Sequence, residues 1–325
     1  MYNTWPRQVT ETLDLPVPRI GSIDKYSKLI VTGVGGSGIV GSYLGNLPYE
    51  YRFTLPVIPV KDIEIPIGLL DQSTLVLAVS YSGNTPETLG SVKKALKHGA
   101  TVKGVTSGGE LVRLLGGGNI VKIPPGYPPR ASLPYLFIAA VKALVEWGVA
   151  SISKDILTNL PRAMDASKAK VLEEARKVSK AVSSHACSSL FKGPIIVGCR
   201  KYYPLALRAR QELAENSKMV SIAEEVPDAG HNLIVGYNVT GEDRLTLVLN
   251  VNEEPCSTIL NSYLEAYKLR YLPVNIPGDN MIEKLLMGSW IFGLASVYLA
   301  NERGLDPTDI SPIKEYRNRL TGKLG

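Results

Sequence analysis

The sequence predicts two tandem α/β domains, each a mainly parallel sheet flanked by helices. Three observations carry this. Short apolar runs alternate with helical patterns, which is the signature of βαβ units. The same order of events occurs twice along the chain. At 325 residues the chain is too long for one ordinary core and suits two domains of about 150 residues. Apolar residues make up 45% and charged residues 20% of it, ample for two packed interiors. The expected domains are 1–153 and 154–325.

In the first half, Lys28–Thr32 reads as a short apolar strand running into the glycine turn Gly33–Gly38. A helical pattern follows through Ile39–Leu47. Thr74–Val79 is the second strand and runs into Ser80–Thr85. Pro86-Glu87-Thr88 opens a helix through Lys97, with proline in the first turn and Glu87 at the positive dipole end. His98-Gly99 closes it. Thr101–Thr106 and Ile120–Ile123 complete the half as strands.

In the second half, Pro194–Gly198 is a short apolar strand followed by a helix from Pro204 to about Glu215. Leu245–Val251 is the next strand. A helix over Ser257–Lys268, a strand over Tyr271–Ile276 and a long apolar helix around Leu285–Ala300 follow. The first two strands start about 46 residues apart in one half (28 to 74) and about 51 in the other (194 to 245), the mark of an internal duplication. Between the halves, Ser151–Ser189 carries lysine, alanine and glutamate at helical spacing and reads as a helical connector.

A formal net charge of +6 suits an anionic ligand. The basic residues are scattered, with no zinc-finger spacing and no aromatic-basic interleaving, so nucleic acid is not an expected partner. Three cysteines without a CxxC argue against a disulfide scaffold and a zinc knuckle. The three histidines are dispersed, with no HxH or HxxxH, so no metal site is expected. The N-terminus lacks a basic region followed by an apolar stretch. The most apolar segment, Leu285–Ala300, falls short of the roughly 20 residues that cross a bilayer and reads as a buried core helix. A cytoplasmic protein without membrane partners is expected.

Two strand-to-helix turns carry unusual residues: Gly35-Gly36-Ser37-Gly38 and Ser80-Tyr81-Ser82-Gly83-Asn84-Thr85. Parallel sheets bind ligands at such strand ends. Helix N-termini there favour an anion, and the hydroxyls of Ser37, Ser80, Ser82 and Thr85 add donors without charge. The glycine loop alone leaves three readings open. Gly33, Gly35 and Gly38 match the dinucleotide fingerprint GxGxxG, with Asp62 and Glu64 at about the expected acidic position. The same loop suits a phosphate ester, or serves as a plain turn. The second loop favours the phosphate ester, because a hydroxyl-rich anion cradle has no place in a dinucleotide scheme.

SxSGxT after a strand, with a partner glycine-serine loop, resembles the sugar isomerase (SIS) domain family. The tandem arrangement resembles phosphoglucose isomerases, and details in both halves resemble the archaeal-type bifunctional phosphoglucose/phosphomannose isomerases. These details are Pro128-Pro129-Arg130, Glu215-Asn216, His231-Asn232 and Lys314. The resemblance implies a homodimeric, metal-independent and cofactor-independent aldose-ketose isomerase of hexose 6-phosphates, with proton transfer through a cis-enediol. It implies Glu215 as the base, His231 and Lys314 in ring opening, and Arg130 against the developing enediolate, with the cradle of Gly35, Gly36, Ser37, Ser80, Ser82 and Thr85 on the phosphate. Thr308 is a further expected substrate contact.

The residues themselves also admit plainer readings. Glu215 ends the pattern ALRARQELAEN, where the negative dipole end raises proton affinity; as a plain residue it would be a solvated helix-end glutamate. Glu212, one turn earlier, fits an i,i+4 pair with Arg208. His231 alone would be a loop histidine, Lys314 part of a basic face, and Arg130 half of a loop salt bridge. His98 and His185 read as structural. The rival functions are another sugar-phosphate isomerase, a non-catalytic SIS-type sugar-phosphate sensor and a nicotinamide enzyme.

Overall fold

The computed structural model describes residues 2–188, 192–240, 244–251 and 254–324. They fall into two compact units, one from Asn3 to Arg162 together with the last helix from Ser311, the other from Ala163 to Ile310 together with Tyr2.

The first unit opens with helix α1 (Trp5–Leu13), strand β1 (Lys28–Thr32) and helix α2 (Gly35–Asn46). Strands β2 (Arg52–Phe53), β3 (Val57–Val60) and β4 (Thr74–Val79) lead to helix α3 (Pro86–Lys97). Then come β5 (Thr101–Thr106), α4 (Glu110–Leu115), β6 (Ile120–Lys122), α5 (Leu133–Glu146) and β7 (Ala150–Ser151). The main sheet is ordered β3-β1-β4-β5-β6 and every pair in it is parallel. Counting only its own strands, that is the 2-1-3-4-5 order of a doubly wound sheet. Strands buried on both faces read as continuous apolar runs, and all six residues of β4 are buried. Residues β2 and β7 form a separate two-residue antiparallel ladder.

Helix α6 (Lys154–Ser188) is one continuous element of 35 residues, and the division between units falls within it, one residue after Pro161. The second unit continues with β8 (Ile195–Cys199), α7 (Tyr203–Ser217), β9 (Ile222–Val226), α8 (Leu233–Thr240), β10 (Thr246–Val251), α9 (Pro255–Ala266), β11 (Tyr271–Ile276) and α10 (Met281–Glu302). Its sheet, β11-β10-β8-β9, is also wholly parallel. In its own strand numbers this is 4-3-1-2, the first unit's order read from the other edge and lacking its fifth strand. The topology therefore repeats, as the spacing of the sequence suggests.

Strands β1, β4, β5 and β11 have the bounds expected from their apolar runs. Strands β3 and β9 escape the sequence reading. Both are sheet edges, where a run need not be continuously apolar. Pro59 interrupts β3, as edge strands tolerate, and β9 carries Glu224-Glu225. The last helix, α11 (Ser311–Leu324), groups with the first unit rather than with residues 154–310. It packs on α3, and among its described side chains Ile313, Arg317 and Leu320 are half-buried, at i, i+4 and i+7. Cys199 and Cys256 form a disulfide with a Cα–Cα distance of 6.0 Å. It is a local staple between the end of β8 and the start of α9, where the sequence reading had weighed cysteine only as a scaffold. The Cys187 side chain lies outside the described residues.

Helix α10 is the apolar segment expected as a core helix. Its 22 residues are long and apolar enough to span a membrane, and 83% of its most apolar stretch is buried. It packs against α7 over a buried polar network. The Arg208–Glu212 pair has no exposed side-chain surface. Tyr2 Oη donates to Glu212 Oε2 at 2.6 Å. Asn216 Nδ2 lies 2.9 Å from Tyr2 Oη, Glu212 Oε2 and Ser296 Oγ. Burial, and then the Glu212 charge, hold the Tyr2 phenol protonated well above its ordinary range. Removing one partner of a buried ion pair leaves the other charge uncompensated. Glu212→Ala should therefore destabilise the protein by about 3–5 kcal/mol in denaturant unfolding. Glu315→Ala, which breaks the exposed Arg319–Glu315 pair, should change stability by less than about 0.5 kcal/mol.

Candidate functional site

In the first unit the strand order reverses between β1 and β4, and both unusual loops sit at that switch point. The glycine-serine turn follows β1 and the SYSGNT turn follows β4. Helix α2 begins at Gly35 with Val34 as its cap residue. Its first α-helical bond runs from Gly38 N–H to Val34 O at 3.1 Å. The N–H groups of Gly35, Gly36 and Ser37 precede that bond and have no intrahelical acceptor. Close packing of the turn on itself requires glycine, since a Cβ on Gly38 would stand 2.5 Å from Gly33 O.

The hydroxyls divide into two kinds. Ser37 Oγ accepts from Tyr81 N–H at 3.2 Å, and Ser82 Oγ accepts from Asn84 N–H at 3.3 Å. Each of these two hydroxyls keeps its own proton to donate to an anion. Ser80 and Thr85 are buried and hydrogen-bond to each other at 3.0 Å, and Ser80 Oγ also accepts from Gly83 N–H. They shape the loop from within. Gly83 has φ +68°, and a Cβ there would fall 1.8 Å from Gly108 O. Asn84 Oδ1 accepts from Glu110 N–H at 2.8 Å, anchoring the loop to the start of α4.

Tyr81, a variable position of the motif, is the residue the sequence reading overlooked. Its N–H is held by Ser37. Its carbonyl accepts from Ser107 Oγ at 2.7 Å and from Thr106 Oγ1 at 3.2 Å. Its hydroxyl donates to Pro124 O at 3.1 Å and accepts from Tyr127 N–H at 2.9 Å. One residue thus joins both cradle loops to the segment that leads into Arg130.

Arg130 lies in the turn Pro129–Ser132 and is buried. The turn is clamped through the carbonyl of Ala131, which accepts from Trp5 Nε1 and Gln8 Nε2, each at 3.0 Å. Ser132 Oγ donates to Pro128 O. These bonds fix the turn that carries Arg130, and a planar cation suits a developing oxyanion.

In the second unit Glu215 is half-buried in the last turn of α7. Asn216 beside it is fully buried in the Glu212 network. His231 ends the turn Asp228–His231 and is exposed. Asn232 orders this loop, donating from Nδ2 to Asp228 Oδ2 at 3.1 Å and accepting from Leu233 N–H. An apolar pocket of about 270 Å³ beside that turn is lined by Val226, Pro227, Gly230, Cys256, Ile259 and Tyr263 among others. Lys314 is exposed on α11. Thr308 belongs to the Asp306–Asp309 turn, and its N–H and hydroxyl both donate to Asp306 Oδ1 at 2.7 Å.

The other histidines have local roles. His98 caps α3, and its Nδ1–H donates to Lys94 O at 2.8 Å. His185 is buried, with Arg270 Nη1 3.4 Å from its Nδ1. Cys199, Cys256 and Glu254 lie together, but the disulfide takes both sulfurs and Glu254 is paired with Lys201.

These loops on repeated parallel sheets give the chain a tandem SIS-type α/β fold. Residues 183–320 match the family model described as bacterial phospho-glucose isomerase C-terminal SIS domain. Over nearly its whole length the chain is similar to proteins named bifunctional phosphoglucose/phosphomannose isomerase. One, from Aeropyrum pernix, is 29% identical over 98% of this chain and 97% of its own. Another, from Thermoplasma volcanium, is 28% identical over 92% and 93%. A relative from Sulfolobus acidocaldarius, named D-glucosamine-6-phosphate 4-epimerase, is 27% identical over 100% and 98%. Among solved structures, the C-terminal domain of glucosamine-fructose-6-phosphate aminotransferase from Francisella tularensis shares the fold with a TM-score of 0.71. It is 14% identical, over 95% of this chain and 96% of that one.

Two predictions follow from the geometry. Tyr81→Phe removes the hydroxyl between Pro124 and Tyr127 and should destabilise the protein by about 1–3 kcal/mol, with weaker binding of a sugar phosphate in calorimetry. Asp306 is exposed, and its carboxyl is held below the usual aspartate range, first by the Thr308 hydroxyl and then by the Thr308 N–H. A depressed carboxyl stabilises at pH above its ordinary value of about 3.9 and loses that contribution as pH falls through the lowered one. The Thr308 amide resonance should therefore stay unchanged from pH 7 to about 5 and shift only under more acidic conditions.

Proposed function

We propose that the chain is a reversible aldose-ketose isomerase that interconverts glucose 6-phosphate and mannose 6-phosphate with fructose 6-phosphate. The observation that carries this reading is the hydroxyl-lined anion cradle at the first unit's switch point, in a chain similar end to end to bifunctional phosphoglucose/phosphomannose isomerases. The cradle takes the phosphate through the α2 N-terminus, Ser37 and Ser82, with Ser80 and Thr85 shaping it. Glu215 takes the C2 or C1 proton and returns it to the neighbouring carbon through a cis-enediol. His231 protonates the ring oxygen for opening, with Lys314 assisting. Arg130 steadies charge on the enediolate oxygens.

The same carbon skeleton is reached from either C2 epimer, because the enediol has lost the C2 stereocentre. Acceptance of both aldoses therefore requires only that the base reach either face of C2. The scattered histidines and the Cys199–Cys256 disulfide support a mechanism without metal. The exposure of His231 in the single chain supports a homodimer that covers it. A cytoplasmic location accompanies this reading.

The S. acidocaldarius relative favours a second reading, epimerisation of an amino-sugar phosphate at C4. Chelator-treated protein should be given fructose 6-phosphate and, separately, D-glucosamine 6-phosphate, with products resolved by NMR. The isomerase reading expects glucose 6-phosphate and mannose 6-phosphate from the first and no change in the second. Glu215→Gln should lower kcat on the order of 1,000-fold with the phosphate still bound. A C4 epimer from the amino sugar alone would replace the isomerase reading with the epimerase one.

A further inference from the structure

Lys218 occupies a position that its backbone does not favour. It closes α7 with φ 55° and ψ 32°, in the left-handed region, where glycine or asparagine usually stands. The side chain supplies the reason for a lysine. Its Nζ lies 2.7 Å from Glu215 O and 3.4 Å from Asn216 O, the last carbonyls of the helix. It also lies 3.0 Å from Asp306 O and 2.9 Å from Asp309 O, at the two ends of the turn that carries Thr308. An ammonium has three protons and no acceptor, so four carbonyls share it and nothing of its donor capacity is left over.

The contact has two consequences. A cation at a helix C-terminus offsets the negative dipole end, and here it does so directly beneath Glu215. The same cation is a cross-link. The Asp306–Asp309 turn keeps its shape through Asp306 and Thr308. Lys218 fixes where that shaped turn stands relative to the end of α7. Arg303 Nη1 adds a bond to Ser217 O at 2.5 Å but reaches neither Asp306 nor Asp309 through any described hydrogen bond.

We infer that Lys218 is a positioning residue, an ammonium pin that sets the Thr308 turn against the helix end carrying Glu215. This deepens the isomerase reading and rests on it for its catalytic consequence. The pin touches no substrate atom, so it acts on the alignment of groups that do. Misplacement by about 1 Å can lower a rate on the order of 100-fold.

The test combines hydrogen exchange with a double-mutant cycle on the full chain. In Lys218→Met, the Thr308 and Asp309 amides should exchange at least about tenfold faster while the β4 and β10 amides stay protected. With fructose 6-phosphate, kcat should fall at least about tenfold at little change in KM. Thr308→Ala alone should also slow turnover, and adding it to Lys218→Met should slow turnover less than the product of the two single effects. Lys218→Arg, which keeps the charge, should recover part of the loss; Lys218→Gln substitutes for the methionine variant if that one does not fold. Unchanged exchange at Thr308 and Asp309 would overturn the pin. Faster exchange with fully multiplicative kinetics would leave Lys218 a mere helix cap and overturn the positioning role. Failure of the isomerase reading is separate. It would show as an inactive wild type, and the positioning role for isomerisation would fall with it, while the exchange data would still decide whether Lys218 holds the turn.

Discussion

The placement of Tyr81 is the constraint on which the cradle depends. Its backbone N–H and carbonyl are tied to Ser37 on one side and to Thr106 and Ser107 on the other. The loops after β1, β4 and β5 are therefore held to one another rather than only to their own strands. Its phenol extends the linkage to Pro124 and Tyr127, and so to the turn holding Arg130. A buried backbone group must be paired somewhere. Here that requirement is met by side chains of neighbouring loops, which leaves the hydroxyl protons of Ser37 and Ser82 and the first turn of α2 for a ligand.

Both units have the same sheet order, yet the two switch points differ in chemistry. At the second, between β8 and β10, the Cys199–Cys256 disulfide joins the strand end to the start of α9, and Lys201 is paired with Glu254. Arg200 is paired with Glu225. The cations at this strand end are thus taken up by glutamates, and no run of glycine and serine follows β8 or β10 to cradle an anion. The second unit instead carries Glu215 at the end of α7 and His231 in the turn that follows β9.

The end of α7 shows how one short segment divides its labour. Glu212 and Asn216 face inward and join Tyr2, Arg208 and Ser296 in a network that fixes the helix against α10. Glu215, in the last turn of the helix, is half-buried. Lys218 then turns the chain and gathers carbonyls from two segments. The two glutamates three residues apart are alike in type and differ in burial: Glu212 is closed inside the network, and Glu215 in the last turn is half-buried.

Apolar runs determined β1, β4 and β5 to the residue, inside a parallel sheet whose two faces are covered, and the edge strand β11 was legible to the residue from its own run as well. The two glycine- and hydroxyl-rich turns were legible too as links between a strand and a helix, and the structure brings them together at one switch point. The Arg208–Glu212 pair followed from i,i+4 spacing. Strands β3 and β9 were not legible, because Pro59 and the Glu224-Glu225 pair break their apolar runs, which an edge position tolerates. Tyr81, the Trp5 and Gln8 clamp on the Arg130 turn, the Lys218 pin and the grouping of α11 with the first unit were decided only by tertiary structure. Each depends on a hydrogen bond or a packed face between residues far apart in the chain, and local sequence carries no record of which distant carbonyl or helix a side chain will meet.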